Sequence, residues 1–289
     1  MTFSVSSMTA SLRKVALLKP GACLKNADPS KWHYGPTFDS GKVEEIHASF
    51  VSLLENEGVE IFWIEDHNSE IADAVFTYDA SLMTKFGAIL MSPGKLLRSG
   101  EQDLHKIFYN SHDIPIIGSI SDFARAEAGD TLWLDETTLV VGRGFRTNQL
   151  GVEQIKDILE PRGINVFSYD LPFYTGAAAC LHLMSLISLV DTKAALVALP
   201  LLPVGFHELL TSKGFQLIEA PMLEFEQSNT LSTNVLAVSP GNCVMLSGLP
   251  QTTEKLRKSG IKVQLFDGEA LCVGCEGGPT CLTRPLYRV

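Results

Sequence analysis

Apolar side chains recur at helical spacing in five segments of the chain, each followed by a short run rich in β-branched and aromatic residues. The first segment reads Ser40 to Glu57, with Val43, Ile46, Phe50, Leu53 and Leu54 on one stripe and Gly58 as its stop. The others begin near Ser99 (Leu104, Ile107, Phe108), Asn148 (Val152, Ile155, Leu159), Pro203 (Phe206, Leu209, Leu210) and Gln251 (Leu256). Three of them end close to Gly163, Gly214 and Gly260. The strand-like runs that follow start at Val59, Ile114, Ile164, Phe215 and Ile261, which are 55, 50, 51 and 46 residues apart. Further β-patterned runs lie between them, such as Leu132 to Val141 around Asp135-Glu136 and Leu236 to Leu246 around Pro240-Gly241-Asn242.

Each unit therefore reads as strand, hairpin and helix, and a unit of that size cannot close a core alone. Arranged about an axis, five such units bury their sheets against one another and set their helices outside. The expected fold is thus α/β: a five-bladed β/α propeller with pseudo-fivefold symmetry, formed by residues 1–289 as one domain. An open, doubly wound sheet is the competing arrangement. Paired strands between the helices, and the lack of a Gly-x-Gly-x-x-Gly turn, count against it.

Composition excludes more than it names. With 45% hydrophobic residues, a chain of 289 can bury a large core. The formal charge is -10, from 33 acidic and 23 basic side chains, and no Lys or Arg block offers a phosphate-tracking face, so nucleic acid is not an expected partner. The run Val15 to Leu18, between Lys14 and Lys19, is too short for a signal sequence or a membrane span; no membrane partner is expected, and the expected location is cytoplasmic. Six cysteines (Cys23, Cys180, Cys243, Cys272, Cys275 and Cys281) do not make a dense disulfide scaffold, and in a reducing compartment they remain thiols.

Counted from the start of each strand-like run, Asp73, Glu127, His182, Asn229 and Cys281 lie 14, 13, 18, 14 and 20 residues on. Equivalent positions of a fivefold array converge near its axis, so these residues can line one central pocket. Cys281 sits in Gly-Gly-Pro-Thr-Cys-Leu-Thr, a turn that can hold a thiolate nucleophile exposed, although a lone cysteine is equally a small buried hydrophobe. His182, in Cys-Leu-His-Leu, is either a core histidine or a general acid and base. Glu127 and Asp130, in Glu-Ala-Gly-Asp, are loop acids, or carboxylates that orient His182 or grip a cation. Alternation would send Asp73, Val75, Thr77 and Asp79 to one face, where two acids suit a guanidinium. Arg98 and Arg146 each precede a helix start, where the helix dipole disfavours a cation, and each could hold a substrate carboxylate as a fork. Cys272-Val-Gly-Cys275 is a CxxC pair without the further ligands a zinc site needs or the strand-to-helix context of a redox site.

Together, Asp-x-Val-Phe-x-x-Asp (73 to 79), Pro93-Gly94 with Arg98-x-x-Glu101, Glu-x-Gly-Asp (127 to 130), Phe145-Arg146-Thr147-Asn148-Gln149, Leu181-His182-Leu183 and Cys281 resemble the guanidino-modifying superfamily, most nearly the dimethylarginine dimethylaminohydrolases. The resemblance spans nearly the whole chain in the same order and implies the propeller fold and a hydrolysis at a guanidino carbon without metal or cofactor. It assigns Cys281 as nucleophile, His182 as proton donor and later base, Glu127 as the acid beside it, and Asp73, Asp79, Arg98, Arg146 and Asp130 to substrate binding. The implied partner is a small guanidino compound such as arginine or an N-substituted arginine, and a homo-oligomer is compatible with it. Tyr78 stands where the family has Glu, and Met184 where arginine deiminases carry Asp, which favours a substituted guanidino compound over free arginine. The loop Leu24 to Asp39, with Trp32, His33 and Tyr34, is a candidate lid. An amidinotransferase using the same thioether, or a non-catalytic binding protein on this fold, remain as alternatives.

Overall fold

The structure is a computed structural model and describes residues 2–66, 70–177 and 181–289. Its strands run β1 (Leu12–Leu17), β2 (Glu60–Trp63), β3 (Ser81–Met83), β4 (Ala88–Leu90), β5 (Ile116–Ser119), β6 (Thr131–Asp135), β7 (Thr138–Arg143), β8 (Asn165–Asp170), β9 (Ile187–Asp191), β10 (Ala194–Val197), β11 (Gln216–Glu219), β12 (Leu236–Ser239), β13 (Asn242–Leu246), β14 (Lys262–Phe266) and β15 (Arg284–Arg288). They form five three-stranded sheets, and the same wiring recurs in each: an antiparallel pair, a crossover helix, then a third strand parallel to the second. Thus β3 pairs antiparallel with β4, and β5 returns parallel to β4 after the helix Glu101–Ser111. The blade helices are Val43–Asn56, Glu101–Ser111, Gln149–Leu159, Val204–Ser212 and Pro250–Lys258.

The first blade differs in its origin. Its antiparallel partner to β1 is β15, from the opposite end of the chain, and β2 completes the sheet. The last strand thereby closes the ring on the first. The sequence pattern gives β1 only as a short apolar run, because a strand buried on both faces lacks alternation.

Burial follows the position of each strand. The middle strand β10 is wholly buried, whereas the third strands β2, β8, β11 and β14 are mixed. The helices lie outside with one stripe inward; Val43, His47, Phe50, Val51 and Leu54 form the first. The stripe expected on the second helix is corrected, since Ile107 is 63% exposed and Glu101, His105, Phe108 and Tyr109 face inward. Polar partners make that orientation stable. Glu101 pairs with the buried Arg98, and the Ser81 hydroxyl bonds both His105 Nδ1 at 2.9 Å and the Tyr109 hydroxyl at 2.6 Å.

Two buried histidines link this packing to pH. Burial, reinforced by Lys19, brings the His47 imidazole down to about 4, and burial with Arg284 and Arg98 nearby brings His105 down to about 3. The unfolded chain therefore binds more protons below the ordinary histidine range, and stability is lost as pH falls from about 6.5 towards 4. Each histidine contributes at most about 1.4 kcal/mol per pH unit. Urea unfolding across this range should show that His47→Gln has a shallower pH slope than the parent; identical slopes would refute the account.

Candidate functional site

The crossovers that return each blade to the axis bring polar side chains to one cavity of about 360 Å³. Asp73, Asp79, Arg98, Arg146, His182 and Cys281 all line it, although their segments are far apart in sequence. Asp73 is not on an extended strand as alternation suggested. Ala72–Val75 is a 3-10 turn that carries Asp73 to the cavity, and Asp79 reaches it two residues before β3.

Glu127 lies beneath the cavity floor and is fully buried. Its carboxylate accepts from Gly94 N at 2.8 Å, Lys95 N at 3.3 Å and Arg146 Nη1 at 2.9 to 3.0 Å, and bonds His182 Nε2 at 2.6 Å. Burial pushes its carboxyl up, but Arg146 and the His182 bond outweigh that and hold it well below the usual carboxylate range. The carboxylate fixes the position of the imidazole.

Asp79 is held in the same way. Its Oδ1 accepts from Gly129 N at 2.9 Å and its Oδ2 from Arg98 Nη1 at 2.5 Å. Arg98 also bonds Glu101 through Nε and Nη2, at 2.7 and 2.8 Å, and Phe76 O at 3.0 Å. These four bonds use four of its five N–H groups, which corrects the expectation of an open fork: as placed, Arg98 orients Asp79. Asp130 is corrected as well. It does not line the cavity; its oxygens accept from Leu183 N at 2.9 Å and Thr147 Oγ1 at 2.6 Å, tying the acidic loop to the segment that carries His182. Burial pushes its carboxyl up to about 6.

The loop that carries Cys281 is built by close packing. A Cβ on Gly277 would stand 2.4 Å from the Phe76 ring, and one on Gly278 2.4 Å from the Asn234 side chain. Asn234 Oδ1 accepts from Thr280 N at 3.0 Å, which turns its Nδ2 to donate to Cys281 Sγ at 3.1 Å. Sequence counting selected Asn229, which is exposed with φ 49° on the way into the axial crossover. Asn234, two residues before β12, is the occupant of that blade.

Two residues of the candidate lid reach the cavity wall. Trp32 and His33 line the cavity, Tyr34 OH donates to Asp73 Oδ1 at 2.7 Å, and Lys95 Nζ donates to Asp73 Oδ2 at 2.7 Å and Trp32 O at 3.1 Å. Lys95, Glu276 and Cys275, also at the wall, were not singled out as binding groups by sequence reasoning. Glu276 adopts a left-handed φ of 58°, unusual for a side chain of its kind, and burial pushes its carboxyl up despite Lys95 and Arg146. The CxxC pair splits: Cys272 is fully buried and Cys275 lines the wall, both pushed up by burial, so neither is placed as a ready thiolate. Cys180, of the Cys-Leu-His-Leu motif, lies outside the described residues.

A closed five-bladed β/α propeller with cysteine, histidine and paired carboxylates around its axial cavity defines the class of protein. A sequence model described as arginine deiminase matches residues 69–202 and 198–288, and the chain belongs to that family. It is 25% identical over 246 residues to N(G),N(G)-dimethylarginine dimethylaminohydrolase of Pseudomonas aeruginosa, covering 85% of this chain and 89% of that one. It is 26% identical over 248 residues to an arginine deiminase of Mycobacterium avium, covering 75% of this chain and 61% of that one. The structure of a DDAH variant from Pseudomonas aeruginosa, complexed with citrulline, superimposes with a TM-score of 0.78 at 23% identity, over 96% of this chain and all of that one. Among the described residues, no helix is long and apolar enough to cross a membrane.

Gly129 is where Asp79 and His182 press on one backbone position, because a Cβ there would lie 2.7 Å from Asp79 Oδ1 and 2.8 Å from His182 Nδ1. Gly129→Ala should leave the fold intact by circular dichroism yet lower kcat by about 10²-fold, the usual cost of displacing a catalytic group by about 1 Å. Unchanged kcat would show that the imidazole tolerates the displacement.

Proposed function

We propose that this chain hydrolyses the guanidino carbon of arginine or an N-substituted, arginine-like compound through a covalent intermediate on Cys281, yielding a ureido product such as citrulline and an amine or ammonia. The observation that carries the reading is the placement of Cys281 and His182 on one cavity wall system, with Glu127 fixing the imidazole from below. Its family membership and its likeness to a dimethylaminohydrolase and an arginine deiminase support the same reaction class.

The Cys281 thiolate attacks the guanidino carbon, forming a C–S bond and a tetrahedral centre. The Asn234 amide stabilises the sulfur before attack, and the guanidinium rests against Asp79, whose orientation is set by Arg98 and Gly129. Collapse breaks a C–N bond, and the departing nitrogen takes its proton from His182. Water then adds to the amidino thioether with His182 as base. The C–S bond breaks, the sulfur recovers its thiolate form, and the ureido product leaves. The cavity suits a small ligand, and Arg146 and Lys95 are the cations at its wall for a substrate carboxylate.

Incubation with a panel of arginine, methylated arginines and simpler guanidino compounds, followed by mass spectrometry, tests this directly. Ureido product and a Cys281 adduct are expected from the parent, neither from Cys281→Ala, and a loss in kcat of about 10² to 10⁴-fold in His182→Ala. The absence of product and adduct across the whole panel would sink the reading. Tyr34→Phe deletes the lid's hydrogen bond to the Asp73 carboxylate and should raise KM by about tenfold while kcat is kept. If KM is unchanged, the lid plays no part in holding substrate.

A further inference from the structure

Tyr78, Met184 and Thr280 line the axial cavity and, on another face, a second and much smaller one of about 10 Å³, room for about one water-sized sphere. Arg284 and Arg288, both on β15, line this second cavity. No carboxylate does, and among the described residues neither guanidinium makes an ion pair.

Both arginines are out of water, at 1% and 7% exposure. Arg284 donates through Nη1 to the carbonyl oxygens of Tyr78 and Ser81 and lies 4.2 Å over the Tyr78 ring. Arg288 donates to Ala10 O at 2.6 Å and Ala237 O at 2.9 Å. Neutral carbonyls satisfy hydrogen bonds but leave two positive charges uncompensated. The strain of that arrangement registers at Arg288, which burial and then Arg284 bring down to about 10, relieved in part by Tyr78. Two donors remain over: Arg284 Nε and Thr280 Oγ1 are buried without a partner. Unpartnered donors and unpaired cations around a space of atomic size specify a small negative ligand.

We infer that this cavity is a binding site for one monovalent, halide-sized anion, held by Arg284 and Arg288 and capped by the Thr280 hydroxyl. A water molecule would answer the two donors and leave the charges as they are, whereas the anion answers both. A halide, slightly larger than water, fits once the lining gives by a few tenths of an ångström, whereas phosphate, sulfate and carboxylate ligands would need several atoms' room. Because Thr280 adjoins Cys281 and Tyr78 adjoins Asp79, the anion would brace the far side of the catalytic wall while touching neither reacting group.

The test uses the full chain. Crystals grown in sodium bromide should give one anomalous peak within contact of Arg284 Nε and Thr280 Oγ1. In solution, the unfolding midpoint at fixed ionic strength should rise saturably, by about 3 °C or more, as sodium bromide or chloride replaces sodium gluconate, opposite to the order of non-specific salt effects. Arg288→Met should abolish that rise. If this variant does not fold, the two measurements on the parent still decide. Bromide found only on the surface with water in the cavity, or midpoints independent of the anion, overturns the proposal.

Discussion

The buried carboxylate of Glu127 is the constraint on which the site depends. Taking a carboxylate out of water costs several kcal/mol, and the cost is met only where charged and neutral donors converge with good geometry. Here the donors come from three different crossovers: the backbone at 94 and 95, the Arg146 guanidinium and the His182 imidazole. None could be supplied by Glu127's own blade beyond Arg146, so a carboxylate both buried and ionised is sustained only when the ring is assembled. Closure of that ring by β15 against β1 is therefore part of the chemistry as well as of the fold.

Charge alternates outward from this centre. Asp79, Arg98 and Glu101 form a buried chain behind one wall, and Asp73 with Lys95 forms another beneath the lid. Each carboxylate is orientated by protein donors, so the electrostatic field inside the cavity is set in advance of any ligand. A carboxylate offers about four acceptor positions. Asp79 spends one oxygen on Gly129 N and the other on Arg98, which leaves lone pairs directed into the cavity from a fixed plane. The arginine that looks in sequence like a substrate fork acts in the structure as the second layer of an acid.

The fivefold plan was legible because helical stripes and their glycine stops depend on local periodicity. It was misread where polar groups enter the interior: His105 rather than Ile107 faces inward, since Ser81 and Tyr109 complete its hydrogen bonds. Counting from the outer strands located Glu127, His182 and Cys281, but picked Asn229 over Asn234 because the crossovers differ in length. Counting back from the inner strands is steadier. Asp79 and Asn234 each lie two residues before theirs, and Cys281 three before β15. Asp130 could not be told from a binding acid in sequence, since whether a carboxylate faces a cavity or a backbone amide is settled by packing around Thr147 and Leu183.

Part of the cavity lining lies outside the stretch that the family match spans. Residues 69–288, spanned by the family match, contain Cys281, His182, Glu127 and the acids, while the lid residues Trp32, His33 and Tyr34 precede it. Tyr78 and Met184 line the same cavity as Asp79 and put apolar surface on its wall. Under the proposed reaction, an unsubstituted guanidinium would lose strong hydration there with few acceptors in return, whereas alkyl substituents bring apolar area that such a wall can cover.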